Sequence, residues 1–341
     1  MAEHDNRIPP DELTRAGDAD EASVNSNSQV LGVTAMPIIA DDGSEDHLPP
    51  GRLPFPLVAL GASAGGLEAY TQILQTLAPD TGMSFIIVPH LAPDHESHLG
   101  EILSRHTSMP VEPILDGLRP VPNHVYVLPP GKRLTISSGL LKLEPRPSDG
   151  RAVMVIDRFF RSLAADQKNH VIGIVLSGTD SDGALGLKTI KGEGGIAIVQ
   201  DPDSAEFATM PRSGILADHV DLVLPPHEIG RELARLARRF FEPVIEQLEQ
   251  GGMRPGDETH FSRILTLLRS VSGVDFRFYK PATLRRRTGR RMMLKRIGSL
   301  AEYSAYVQKD PEELHRLQED VLINVTRFFR DPDVFDTLRT E

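Results

Sequence analysis

From residue 55 to about residue 240, short apolar runs alternate with stretches whose apolar residues recur at helical spacing. Runs at 57–60, 85–89, 125–128, 171–176, 197–200 and 220–224 predict strands, and 66–77, 97–106, 152–165, 183–192 and 205–217 predict helices between them. A run that is apolar at nearly every position predicts a strand buried on both faces. Alternating β and α elements with such strands predict an α/β fold, a doubly wound, mostly parallel, Rossmann-like sheet. Residues 134–143 read as a hairpin insertion, with Ser138-Gly139 at its turn. A helix rich in Glu, Leu and Arg is predicted over 227–250, and the run Gly251-Gly252-Met253-Arg254-Pro255-Gly256 breaks it. Helices are then predicted over 261–272, 283–297, 299–308, 311–323 and 332–340. The expected organisation is a tail over 1–52, an α/β domain over 53–240, a linker over 241–257 and a small all-α domain over 258–341.

Charge is unevenly placed along this pattern. Residues 1–50 hold eleven acidic residues against Arg7 and Arg15, which is −9 of the chain's −11. Such a stretch cannot bury enough apolar surface to offset its ordering entropy, so it reads as a disordered acidic tail. The remainder is nearly neutral, and its net charge names no partner. The chain has no cysteine, which excludes disulfides, thiolate metal sites and a cysteine nucleophile. No apolar run reaches the roughly 18 residues of a membrane span. The N-terminus lacks a basic-then-apolar signal. The expectation is a cytoplasmic protein with no membrane insertion.

Candidate chemistry collects after three of the strands. Gly61-Ala62-Ser63-Ala64-Gly65 follows the first, with the G-x-S-x-G spacing of a nucleophile elbow and a helix opening just beyond it. The alternative is a tight turn or a phosphate-cradling loop, but no Lys-Ser/Thr follows and there is no G-x-G-x-x-G fingerprint. His90 ends the second strand, and the turn Ser177-Gly178-Thr179-Asp180-Ser181-Asp182-Gly183 follows the strand over 171–176. Either Asp182 or Asp180 could reach a histidine nitrogen from that turn. Serine, histidine and aspartate at strand ends are what acyl transfer needs: nucleophile, base and the group that orients the base. Each also has a plainer role as a cap or turn residue. His90, His95 and His98, with Asp94, match no common zinc spacing, and no metal is expected.

Taken together, Gly61-Ala62-Ser63-Ala64-Gly65-Gly66, Pro89-His90, the 176–184 turn, Gln200-Asp201-Pro202 and Met210-Pro211 resemble the chemotaxis protein-glutamate methylesterases, the CheB catalytic domain, over about 55–240. The resemblance implies Ser63 as nucleophile, His90 as base and Asp182 as the triad aspartate. It implies no cofactor, and oxyanion contacts from the backbone N–H groups of Ala64 and Thr179. The family turn reads Gly-Met-Gly-x-Asp-Gly-Ala. Here Thr179 stands for the methionine and Asp180 for a glycine. The family usually carries a receiver domain, and the first 50 residues are too short and polar for one. The implied activity is hydrolysis of glutamate γ-methyl esters, with glutamine deamidation as a candidate second activity. The implied partners are methylated chemoreceptor cytoplasmic helices, with histidine-kinase signalling proteins as further candidates.

The last quarter resembles a second family. Ser272-Gly273-Val274-Asp275-Phe276, Tyr279-Lys280-Pro281, the basic run from Thr283 to Met292 and Leu322-Ile323-Asn324-Val325-Thr326-Arg327-Phe328-Phe329-Arg330 look like the N-terminal helical domain of the CheR protein-glutamate methyltransferases. That resemblance places Asn324, Thr326 and Arg330 at S-adenosylmethionine-contacting positions. The methyl-donor fold itself would have to follow Glu341, so a truncated esterase/transferase fusion is one reading. Eight Lys or Arg and no acid lie between Lys280 and Arg296. Without aromatic stacking residues this favours an acidic protein over nucleic acid. Arg287, Arg290 and Arg291 share one helical face and are the expected receptor-binding residues. A non-catalytic receptor-binding module remains the competing class of function.

Overall fold

Residues 51–90, 97–147, 154–217, 220–240 and 256–322 are described by a computed structural model. The expected tail up to residue 50, the linker over 241–255, the helix over 332–340 and the residues His95, Asp94, Asn324, Thr326 and Arg330 lie outside the described residues.

All six expected runs form strands: β1 (Leu57–Ala62), β2 (Ser84–Pro89), β4 (Val125–Val127), β7 (Val171–Val175), β8 (Ile196–Gln200) and β9 (Leu222–Leu224). A seventh, β3 (Val111–Pro113), was not expected. It is three residues long, ends in proline and lies at a sheet edge, so it carries no apolar run. The order is β3-β4-β2-β1-β7-β8-β9, and every neighbouring pair is parallel. The hairpin forms as β5 (Lys132–Ser137) and β6 (Leu140–Pro145), with Ser138 and Gly139 both at positive φ, 53° and 72°. Those angles suit the primed turn that matches strand twist.

Period-two alternation sends apolar side chains into two layers. Val58, Leu60, Ile172 and Ile174 face the layer covered by α1 (Gly66–Thr76) and α6 (Pro226–Phe240). Leu57, Ala59, Val171 and Val175 face the layer covered by α3 (Val155–Gln167) and α4 (Ala184–Gly192). The expected helix over 97–106 shortens to α2 (Leu99–Ser104). That over 205–217 becomes a 3₁₀ turn at Pro202–Ser204 followed by α5 (Thr209–Leu216).

The helical part comprises α7 (Asp257–Ser272), α8 (Pro281–Lys295), α9 (Leu300–Lys309) and α10 (Pro311–Leu322). Its Phe261, Ile264, Leu268, Met292 and Met293 continue the same apolar layer as Leu233 and Leu236 of α6. The structure corrects one expectation here. Arg287, Arg290 and Arg291 do share a face of α8, but that face points inward, and they are 1%, 1% and 5% exposed. They interleave with Leu284, Thr288 and Met292 on the buried side, so they are not a docking surface.

Candidate active site

The strand order places a switch point at β1. The chain builds β2, β4 and β3 on one side of it, then β7, β8 and β9 on the other. Beyond the carboxyl ends of β1 and β7 the connections diverge, and such a crevice is where open α/β sheets hold their sites. Ser63 leaves β1, His90 leaves β2 and the 177–183 turn leaves β7, so all three candidates reach one edge.

Backbone bonds fix their positions. Ala62 pairs with Pro89, making Ser63 and His90 the next residues across two strands about 4.8 Å apart. The His90 N–H donates to Ala62 O at 2.8 Å, and the Ser63 N–H donates to Ser177 O at 2.9 Å. The left-handed residue of this turn is Gly65, at φ 74°. A Cβ there would lie 2.6 Å from Ser177 Oγ, so glycine lets the turn press against the β7 loop. Ser177 Oγ donates to Ala64 O at 2.8 Å and accepts from Phe207 N at 3.0 Å. Ser177, which the sequence marks only as the start of the turn, thus ties the Ser63 turn to the segment before α5.

The carboxylate that meets His90 is Asp180. Its Oδ2 lies 2.7 Å from His90 Nδ1, and its Oδ1 accepts from Asp182 N at 3.0 Å. Asp182, expected as the triad aspartate, is fully buried and engaged elsewhere. It accepts from Ile156 N at 2.9 Å and Asp157 N at 2.8 Å, the free N–H groups that open α3. Asp157 in turn accepts from Gly186 N of α4 at 2.6 Å. The two helix starts therefore cap each other through exchanged carboxylates. Burial raises the pKa of both acids, and the backbone bonds counter it. The Asp157 charge raises Asp182 further, and His90 lowers it by a smaller amount. Only Asp157's place in the first turn of a helix hinted at this arrangement.

Among the described residues, Ser63 Oγ makes no hydrogen bond, and the N–H groups of Ala64 and Thr179 are likewise unbonded. The result is a hydroxyl, an imidazole with Nε2 free, and two open N–H donors at one edge. That set can bind and attack a carbonyl. A cavity of about 370 Å³ also opens on this edge, beyond β3 and β4, lined by Ser97, Glu101, Ser104 and Pro129 among others. None of Ser63, His90 and Asp180 lines it.

Comparison with known proteins agrees with the fold. Residues 58–233 match the family model described as CheB methylesterase, and 259–322 match that of the CheR methyltransferase all-alpha domain. A putative protein-glutamate methylesterase/protein-glutamine glutaminase of Leptospira interrogans is 35% identical over 196 residues, covering 55% of this chain and 98% of that protein. A Burkholderia pseudomallei protein named protein-glutamate methylesterase/protein-glutamine glutaminase 2 is 31% identical over 233 residues, 67% of each chain. An uncharacterized 104.1 kDa protein of Rhodobacter capsulatus is 36% identical over 263 residues, and the match spans 27% of its length. The crystal structure of the Thermotoga maritima CheB methylesterase catalytic domain superposes with a TM-score of 0.51 at 25% identity, over 54% of this chain and all of that one.

Proposed function

The chain belongs to the CheB methylesterase family, a family of carboxylic ester hydrolases, and on that premise we propose that it hydrolyses glutamate γ-methyl esters on chemoreceptor helices with Ser63 as nucleophile and His90 as base. The observation that carries the proposal is the convergence of Ser63, His90 and the 177–183 turn on the switch-point edge. Ser63 Oγ attacks the ester carbonyl carbon while His90 Nε2 takes its proton. The tetrahedral oxyanion faces the N–H groups of Ala64 and Thr179. Collapse expels methanol, protonated by His90. Water, deprotonated by His90, then cleaves the acyl-serine and restores Ser63, leaving a glutamate carboxylate. The steps need no cofactor. Leu67 and Phe207 expose apolar side chains beside the Ser63 turn, which suits the flank of an amphipathic helix.

A glutamine side chain would enter by the same route, with ammonia leaving in place of methanol. The test is incubation with receptor fragments carrying either labelled methyl esters or glutamine at the modification positions. The expected result is methanol from the first and slower ammonia release from the second. Intact methyl esters after incubation with folded protein would overturn the proposal.

A further inference from the structure

We infer that Asp180 is the positioning residue for His90 and that Asp182 serves as a helix cap. The inference rests on the reading of Ser63 and His90 as nucleophile and base. A serine nucleophile needs its imidazole held by one ring nitrogen so that the other faces the hydroxyl. Asp180 makes that bond, at 2.7 Å to Nδ1, which leaves Nε2 for Ser63.

The plainer account is a surface His–Asp pair of small consequence, since both side chains are about one-third exposed, 32% and 34%. Three observations argue against it. Asp180 is not a free surface carboxylate, because its second oxygen is fixed by Asp182 N. His90 is pinned by its own N–H to the end of β1, one residue from Ser63. The pair also occupies the switch-point crevice, where a bound substrate would cover it. Among the described residues Asp182 makes no hydrogen bond to His90. Each of its two oxygens already takes an α3 N–H, and leaving either N–H unpaired in the core would be costly. An aspartate in place of the family's glycine at 180 thus moves the orienting role two residues along the turn.

The test uses the full chain labelled with ¹⁵N-histidine. In the wild type, neutral His90 should carry its proton on Nδ1, with a low-field Nδ1–H resonance. Asp180→Asn should lose that resonance and lower kcat for methanol release on the order of 10²–10⁴-fold, with KM held within about threefold. Asp182→Asn should keep the resonance while melting at a lower temperature. An unchanged resonance in Asp180→Asn would overturn the inference. So would its loss in an Asp182→Asn protein whose circular dichroism is native. If the wild type released no methanol, the proposed reaction would fail, and the resonance would still decide which aspartate holds the imidazole.

Discussion

The two ends of α4 use charge in opposite ways. Its first turn follows the 177–183 loop, where an acid, an imidazole and open N–H groups face solvent. Its last turn, roughly 13 Å away at 1.5 Å per residue, meets the arginines of α8. There Arg287 donates to Lys191 O and Gly192 O, the carbonyls that end α4. Arg290 donates to Gly195 O and bridges Asp221 and Asp320. Arg291 forms a two-pronged pair with Glu313, which also accepts from Tyr303 Oη. Burial opposes the charge on Arg290, but Asp221 and Asp320 more than offset it, so its pKa is raised. Arg287 bonds to carbonyls instead. Burial, aided by Arg290, pulls it down to about 10. Charge whose main partners are carboxylates and carbonyls of the fold builds architecture. Charge beside unbonded groups at a strand end is available for chemistry.

The contrast breaks if the arginine end tolerates substitution. Arg290→Met leaves two buried carboxylates, Asp221 and Asp320, with Lys191 as their shared cation at 3.4 and 3.6 Å, and should cost about 3–5 kcal/mol in denaturant unfolding. The fraction that remains folded should turn over at a near-native kcat, since the cluster lies at the amino ends of the strands. Next in size is Asp182→Asn. Its amide group would confront an α3 N–H, at about 1–2 kcal/mol, read as a lower Tm. Smallest is Arg316→Ala on α10, where an exposed i,i+4 pair with Glu312 should be worth no more than about 0.5 kcal/mol. A loss at Arg316 rivalling that at Arg290 would erase the distinction between solvated and buried charge.

The sheet was legible because strands buried on both faces, such as β1 and β2, are apolar at almost every position. The edge strand β3 was not, because half-exposed residues and a proline leave no such run. Ser63, His90 and the 177–183 turn were legible as strand-end residues with turn chemistry. Which aspartate meets His90 was not, because Asp180 and Asp182 share one turn and their side-chain directions depend on α3, a distant segment. The α8 arginines were misread because a basic run ordinarily faces solvent. A finer signal was present: Leu284, Thr288 and Met292 recur every four residues, and Arg287 and Arg291 fall on that same face. Their partners Asp221, Glu313 and Asp320 lie far away in sequence, so nothing local announced the burial.

The most direct measurement is the rate of methanol release from a methylated receptor fragment by Ser63→Ala and by the wild type, at matched circular dichroism and Tm. The account predicts an unchanged fold and a rate lower by at least ~10⁴-fold, as expected for loss of a nucleophile. A natively folded Ser63→Ala protein working within about tenfold of the wild type would contradict it.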